Sequence, residues 1–235
     1  MRGAAILLIF LASGALAVLG VVRVMGDDRA DTVLEQLTRT NEALGEADVR
    51  PVLWRPPYRR SSPSVDAIAE RMGMAKALWT IDPEDYSNVG RPEVVVDAVL
   101  RDAEDRGVVL LHDGHRPPEH DDTGLRAVER ILPRLLAQGY CFGPLSVVDG
   151  AVTVRRPPRC AKVLALTFDD GPDPEVTPKV LATLERFNVR ATFFMVGQRA
   201  DEHPDIVRDV REAGHAVGNH TWDHADLTSM RATAR

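Results

Sequence analysis

Residues 162–172 read KVLALTFDDGP, and this stretch decides the fold. KVLALTF is a short, nearly unbroken apolar run, the signature of a strand covered on both faces as in a parallel sheet. Two carboxylates, Asp169 and Asp170, follow it at once. Outward from here the same arrangement recurs. PVLW at 51–54, AKALWTI at 75–81, GVVLLH at 107–112, ATFFMV at 191–196 and HAVGN at 215–219 read as further buried strands, and another falls between Tyr140 and Val148. Amphipathic stretches at 92–105, 123–137, 177–187 and 204–213 separate them and read as helices. Alternating strands and helices imply an α/β fold with a parallel sheet, and about seven units favour a distorted (β/α)7-8 barrel over an open sheet. Residues 149–159 (DGAVTVRRPPR) read as a connection between two halves, and 113–122 as a polar loop.

The ends of these strands carry the chemistry. Asp169 and Asp170 follow KVLALTF, His220 and His224 follow HAVGN, Arg55 follows PVLW, Asp82 and Asp85 follow AKALWTI, and His112 and Asp113 end GVVLLH. In a β/α barrel the C-terminal strand ends form one rim, where active sites are built. His220 and His224 stand at i, i+4 and can meet on one side of a turn. An HxxxH alone is weak, and the zinc-protease pattern HExxH is not met because Thr221 occupies the Glu position. HTWDH beside a pair of aspartates is stronger: two imidazoles and a carboxylate suit a divalent transition metal with positions open to water. The set points to hydrolysis, in which one carboxylate takes a proton from water and a histidine protonates the leaving group. Arg55 could hold the base ionised and Asp85 the acid histidine cationic, an opposite-charge division that separates the two roles, although for these two residues alone a salt bridge to each other on the rim is the simpler reading.

Five segments resemble the motifs of carbohydrate esterase family 4, the polysaccharide deacetylases: LTFDDGP at 166–172, HTWDH at 220–224, RPPY at 55–58, WTIDPEDY at 79–86 and LLHD at 110–113. The resemblance implies a distorted β/α barrel that removes acetyl groups from N-acetylglucosamine polymers such as peptidoglycan or chitin, or from acetylated xylan. It further implies Asp169 as catalytic base, Asp170, His220 and His224 as metal ligands, and Arg55 orienting the base. The Tyr58 backbone N–H would serve the oxyanion, and His112 would be general acid with Asp85 as its partner. Leu111 would line the acetyl pocket, and Tyr86 would face substrate. The cofactor is expected to be zinc, with cobalt, nickel or another divalent metal as alternatives. Arg59 stands where the family usually has Gly, Tyr86 where it has Trp, and Ala225 where Pro is common, and these departures bear on substrate shape.

The motif order departs most. The family runs DD, HxxxH, RPPY, the Asp-rich motif and then LHD, whereas here LTFDDGP and HTWDH come last. Each occurs once, so the chain reads as circularly permuted: 31–155 resembles the family's C-terminal half and 160–235 its N-terminal half. A fusion of truncated, inactive domains and a noncatalytic wall-binding protein are the competing readings.

Residues 3–22 are uncharged and apolar, long enough to cross a bilayer. ALA at 15–17 resembles a signal-peptide cleavage site, but the apolar run continues through Val18, Leu19, Val21 and Val22, which favours an uncleaved anchor. Residues 1–30 are therefore read as a membrane anchor or signal segment, and 31–235 as an extracytoplasmic domain, secreted if the segment is cleaved. The formal net charge of −6 argues against nonspecific binding to nucleic acid, which needs a basic surface. Outside the cytoplasm Cys141 and Cys160 can pair; as a sequence, two free thiols fit equally well.

Overall fold

The computed structural model describes residues 27–114 and 122–229. The apolar segment 3–22, residues 115–121 of the polar loop and the C-terminal residues 230–235 lie outside them. Among the described residues no helix is long and apolar enough to cross a membrane.

In chain order the elements are α1 (Asp27–Gly45), β1 (Leu53–Trp54), a 3-10 turn (Pro57–Arg59), α2 (Pro63–Arg71), β2 (Ala75–Lys76), α3 (Pro92–Asp102), β3 (Val108–His112) and α4 (Thr123–Ala137). They continue with β4 (Tyr140–Phe142), β5 (Leu145–Val148), β6 (Ala151–Val154), β7 (Lys162–Asp169), α5 (Thr177–Arg186), β8 (Thr192–Met195), α6 (Gly197–Glu202), α7 (Pro204–Glu212) and β9 (Ala216–Asn219). The fold is α/β with a mostly parallel sheet ordered β2-β1-β9-β8-β7-β3. β7 pairs with three strands, β8, β3 and β4. Its first half pairs with β4 (Lys162 with Tyr140) and its second with β3 (His112 with Asp169). The stretch 75–81 touches two strands. At its start Ala75 N–H and Ala77 N–H donate to Val52 O and Trp54 O, and at its end Leu110 N–H donates to Ile81 O.

Strand alternation sorts the side chains into two cores. Leu164, Leu166 and Phe168 of β7, Val109 and Leu111 of β3, Phe193 and Met195 of β8 and Val217 of β9 pack under the helices. There they meet Val128, Ile131, Leu132 and Leu135 of α4 and Val207 and Val210 of α7, spaced as one helical stripe requires. Val163, Ala165, Val108 and Phe194 face the other way, into a second cluster closed by Leu145 and Val154 of the β5–β6 hairpin. Gly218 is needed on this side, because a Cβ there would stand 2.6 Å from the Phe194 ring.

Three sequence expectations are corrected here. AKALWTI is a regular strand only at Ala75–Lys76, because the Ala77 carbonyl is taken by the Arg55 side chain (Nε to O, 2.9 Å) and Trp79 turns to the surface cleft. The single strand expected between Tyr140 and Val148 breaks into β4 and β5 at Gly143 and Pro144, where Pro144 has no N–H to donate. The connection 149–159 is partly folded: Asp149 and Gly150 both take positive φ (52° and 78°), as the two-residue turn of a hairpin demands, and β6 follows. The helix α1 begins at Asp27, four residues before the expected start of the domain at Asp31. Helices α2 and α6 went unread from sequence; α2 is short and is set by Pro63 in its first turn and by Ser62, whose Oγ accepts the Val65 N–H. Cys141 and Cys160 form a disulfide between β4 and the residues leading into β7.

Candidate active site and metal centre

Residues of the inward-facing register of β7 reach the cleft in sequence. Thr167 and Asp169 share the parity of Val163 and Ala165, so they lie on the face away from the helices. Arg55, wholly buried, enters from the end of β1. Its Nη1 donates to Thr167 Oγ1 (2.8 Å) and to Asp169 Oδ1 (2.7 Å), and Thr167 Oγ1 in turn donates to Val109 O (2.7 Å). The guanidinium also lies over the Phe194 ring, 4.0 Å from its centroid. Burial lowers the Arg55 pKa, and the Asp169 charge and hydrogen bond oppose that fall. Asp169 is thus fixed through Oδ1, and its Oδ2 lies 3.7 Å from His220 Nε2.

Asp170, the next residue, is thrown to a different direction by a left-handed φ of 72°. Its Oδ1 lies 3.1 Å from His224 Nε2 and 3.4 Å from His220 Nε2. One ligand atom from each of the three lies within 4.8 Å of the others. His220 Nδ1 is bonded to the Arg55 carbonyl (2.7 Å), which assigns its proton to Nδ1 and leaves the Nε2 lone pair toward Asp170. Ligands held ~2.1 Å from a tetrahedral ion stand about 3.4 Å apart, so the separations from Asp170 suit a small divalent metal. Burial alone would raise the Asp170 pKa, but the neighbouring His220, His112 and His224 side chains more than offset it and hold it below the usual carboxylate range.

His112 ends β3 as the register partner of Asp169. Asp85 grips it twice: Oδ2 accepts its backbone N–H (2.8 Å) and Oδ1 meets its Nδ1 (2.8 Å). Gly124 permits this approach, since a Cβ there would lie 2.9 Å from His112 O and 3.0 Å from Asp85 Oδ2. Burial disfavours the charged imidazole, yet the Asp85 charge and hydrogen bond, with Asp170 and Asp169 beyond, raise its pKa to about 9. The Tyr86 ring stands edge-on to His112 at 5.5 Å, and the Tyr58 ring edge-on to His224 at 4.8 Å. Tyr58 has a positive φ (58°), and the N–H groups after it, of Arg59 and Arg60, turn back to Pro56 O and Pro57 O.

These groups border a cleft of about 460 Å³ whose walls include Tyr58, Tyr86, His112, Asp169, His220 and His224. Leu111 does not reach it. That residue has no exposed surface and packs in the helix-side core, and by strand parity its neighbour Leu110 lines the cleft instead. Trp79 and Arg59 also line it, and neither was assigned a role from sequence. Asp113 was named only as a strand end. It is buried, its Oδ2 accepts the Thr177 hydroxyl (2.7 Å), and a Cβ on Gly171 would stand 2.6 Å from its Oδ1. Burial, with the Asp170, Asp169 and Asp173 carboxylates, pushes its pKa to about 7 against the Thr177 hydrogen bond. A carboxylate separated by His112 alone from the apolar run 108–111 was the sequence signal for it.

Fold and site together define a parallel α/β protein with an Asp/His/His cluster, an arginine-held carboxylate and a His–Asp pair at one set of strand ends. Residues 156–234 match the family model for polysaccharide deacetylases, and that segment contains both LTFDDGP and HTWDH. The resemblance read from those two motifs is therefore shown for this segment. The chain is 51% identical over 67 residues to a peptidoglycan-N-acetylglucosamine deacetylase of Bacillus cereus, covering 28% of this chain and 24% of that protein. It is 49% identical over 69 residues to a chitooligosaccharide deacetylase of Rhizobium leguminosarum bv. trifolii, covering 29% and 32%. A solved structure of the peptidoglycan deacetylase PdaC from Bacillus subtilis matches 28% of this chain and 33% of that chain at 42% identity, with a TM-score of 0.28. The chain spans about a quarter of the length of the first of these curated relatives and about a third of the second.

Proposed function

We propose that this chain is a metal-dependent hydrolase that removes N-acetyl groups from an extracellular polysaccharide. The observation that carries the reading is the convergence of Asp169 with Arg55, the Asp170–His220–His224 cluster and the His112–Asp85 pair around one cleft. Asp170, His220 and His224 would hold the ion, zinc by preference, with cobalt or nickel as alternatives. When bound, such an ion polarises a carbonyl and makes water more acidic. Asp169, held through Oδ1, is placed to take a proton from water at its Oδ2. His112, whose pKa is raised to about 9, would give a proton to the departing nitrogen. The Tyr58 N–H would donate to the oxyanion, Leu110 would supply apolar surface for the acetyl methyl, and Tyr86 would flank the sugar.

The same reading includes a permuted, closed barrel. In support, the end of the described chain lies against its beginning: Leu227 packs with Ala30, Val33 and Leu37 of α1. Gln36 Oε1 accepts the N–H groups of Trp222 and Asp223 (2.8 and 3.3 Å), and Asn219 Nδ2 donates to Leu37 O (2.9 Å). The hydrogen bonds of 75–81 to both β1 and β3 support closure. We further infer a membrane-anchored or secreted, extracytoplasmic location, supported by the apolar segment 3–22 and by the disulfide, which persists in oxidising compartments. Acetate release from N-acetylglucosamine oligomers by the purified protein, before chelation, after it and after zinc is restored, tests the proposal. Release that survives complete removal of metal would overturn the metal-dependent reading, and no release from any acetylated glycan with metal present would overturn the hydrolase.

A further inference from the structure

The cleft wall carries a cation that the chemistry above does not use. Arg55 is committed to Asp169 and Arg60 to Asp226 (2.9 Å). Arg59, between them in sequence, is exposed, lines the cleft and has no ion-pair partner among the described residues. Its guanidinium sits over the Trp79 ring at 5.6 Å, near the outer limit of a cation–π contact. Trp79 is itself fixed by its indole N–H, which donates to Asp82 Oδ2 (3.1 Å). Asp82, which lines the same cleft, also accepts the Glu84 N–H at Oδ1 (3.1 Å) and forms no ion pair with Arg59. Arg59 also has φ 61°, a left-handed conformation that glycine adopts freely and arginine does not. A long cation is thus kept at the cleft, on a backbone that favours glycine, with no ion-pair partner among the described residues.

We propose that Arg59 determines specificity by binding a carboxylate on a sugar adjoining the acetylated one, so that the protein prefers an acidic acetamido-glycan to a neutral one. This rests on the deacetylase reading and deepens it. A guanidinium presents parallel N–H groups that match the two oxygens of a carboxylate. Of the carboxylates lining the cleft, Asp169 is engaged by Arg55, and Asp82 accepts the Trp79 indole N–H and the Glu84 N–H.

The test compares two oligosaccharides of equal length: acetamido sugars alternating with carboxylate-bearing sugars, and the same chain with the carboxylates reduced to alcohols. Binding to the full-length, zinc-loaded protein is measured by calorimetry. Wild type should bind the acidic oligomer about tenfold more tightly, the scale of one exposed charge-assisted contact. Arg59→Gly, whose backbone suits the positive φ, should bring the two affinities within about twofold, while Arg59→Lys should keep part of the preference. The wild-type preference should shrink as salt rises. Equal affinities in wild type, or a preference that survives Arg59→Gly, would overturn the assignment. Acetate release measured in parallel reads the other proposal: a binding preference without hydrolysis of either oligomer removes the deacetylase and leaves Arg59, whereas hydrolysis of both with equal kcat/KM in wild type and Arg59→Gly does the reverse.

Discussion

Adjacent aspartates do different work because the backbone separates them. Asp169 leaves β7 in the extended strand and keeps to the face of Thr167 and Arg55, whereas the positive φ of Asp170 swings its carboxylate to His220 and His224. Two variants should therefore fail differently. Asp169→Asn keeps size and Arg55's company but cannot take a proton. It should retain stoichiometric zinc while kcat falls by roughly two to four orders of magnitude. His224→Ala should lose both tight zinc and turnover, measured by metal analysis after dialysis. Stoichiometric zinc with normal turnover in His224→Ala would refute the ligand assignment. His112 offers a pH test. Its pKa, raised to about 9 by Asp85, keeps the acid form through neutrality and places the alkaline limb of the kcat/KM profile near that value. Asp85→Asn removes the charge that raises it, so the limb should move by at least about one unit toward lower pH. An unmoved limb would show that another group sets it.

Elements show why some of this was readable and some was not. β7, β8 and β9 declare themselves by continuous apolar runs, and the polar residues at their ends are close to the site in sequence, so Asp169, Asp170, His220 and His224 were accessible from the chain alone. Leu110 against Leu111 was not, because the choice depends on which face of β3 meets the helices, and a run of four apolar residues hides its parity. Nor was the loss of regular pairing in 75–81, which follows from a distant arginine taking the Ala77 carbonyl. The β5–β6 hairpin did have a signal in Asp149-Gly150, which reading 149–159 as a plain linker passed over. At the start of β9, His215 ties α7 to β8: its Nδ1 accepts the Ala191 N–H (3.0 Å) and its ring meets Phe193 edge-on. Burial, aided by the Arg190 charge, lowers its pKa to about 4, below the unfolded value. The fold therefore favours neutral His215. Its contribution is complete above about pH 6.5 and is lost as pH falls through about 4. Between pH 7 and 4.5 wild type should lose roughly 2–3 kcal/mol more than His215→Gln in urea unfolding. Equal losses would show that the His215 ring does not titrate with folding.

At the scale of the molecule, the rim depends on which strands are neighbours and not on where the chain begins. Arg55 and His220 come from opposite ends of the sequence, yet β1 pairs with β9, and the His220 ring is held by the Arg55 carbonyl. β3 and β7 likewise bring His112 and Asp169 together across the 149–159 connection. Neither half holds the whole proposed site: 31–155 lacks Asp169, Asp170, His220 and His224, and 160–235 lacks Arg55, Asp85 and His112. Each half alone should be inactive. A soluble chain running from Cys160 to Arg235 and then from Asp31 to Val148 restores the order that the family resemblance implies. It keeps both cysteines and every pairing of β7 with β3, β4 and β8, and it omits β6. Leu227 packs in one cluster with Val33 and Leu37, both of which the reordered chain keeps, so the reordering exchanges one loop closure for another and should alter stability by only a few kcal/mol. Loss of Val154 from the second core adds a cost of similar size. Zinc stoichiometry and kcat/KM should match those of the anchor-free native order, checked alongside urea unfolding. If the reordered chain folds but binds no zinc, or fails to fold while the native order is active, then the halves are not one barrel opened at a different place, and a paired assembly of incomplete domains accounts for the molecule better.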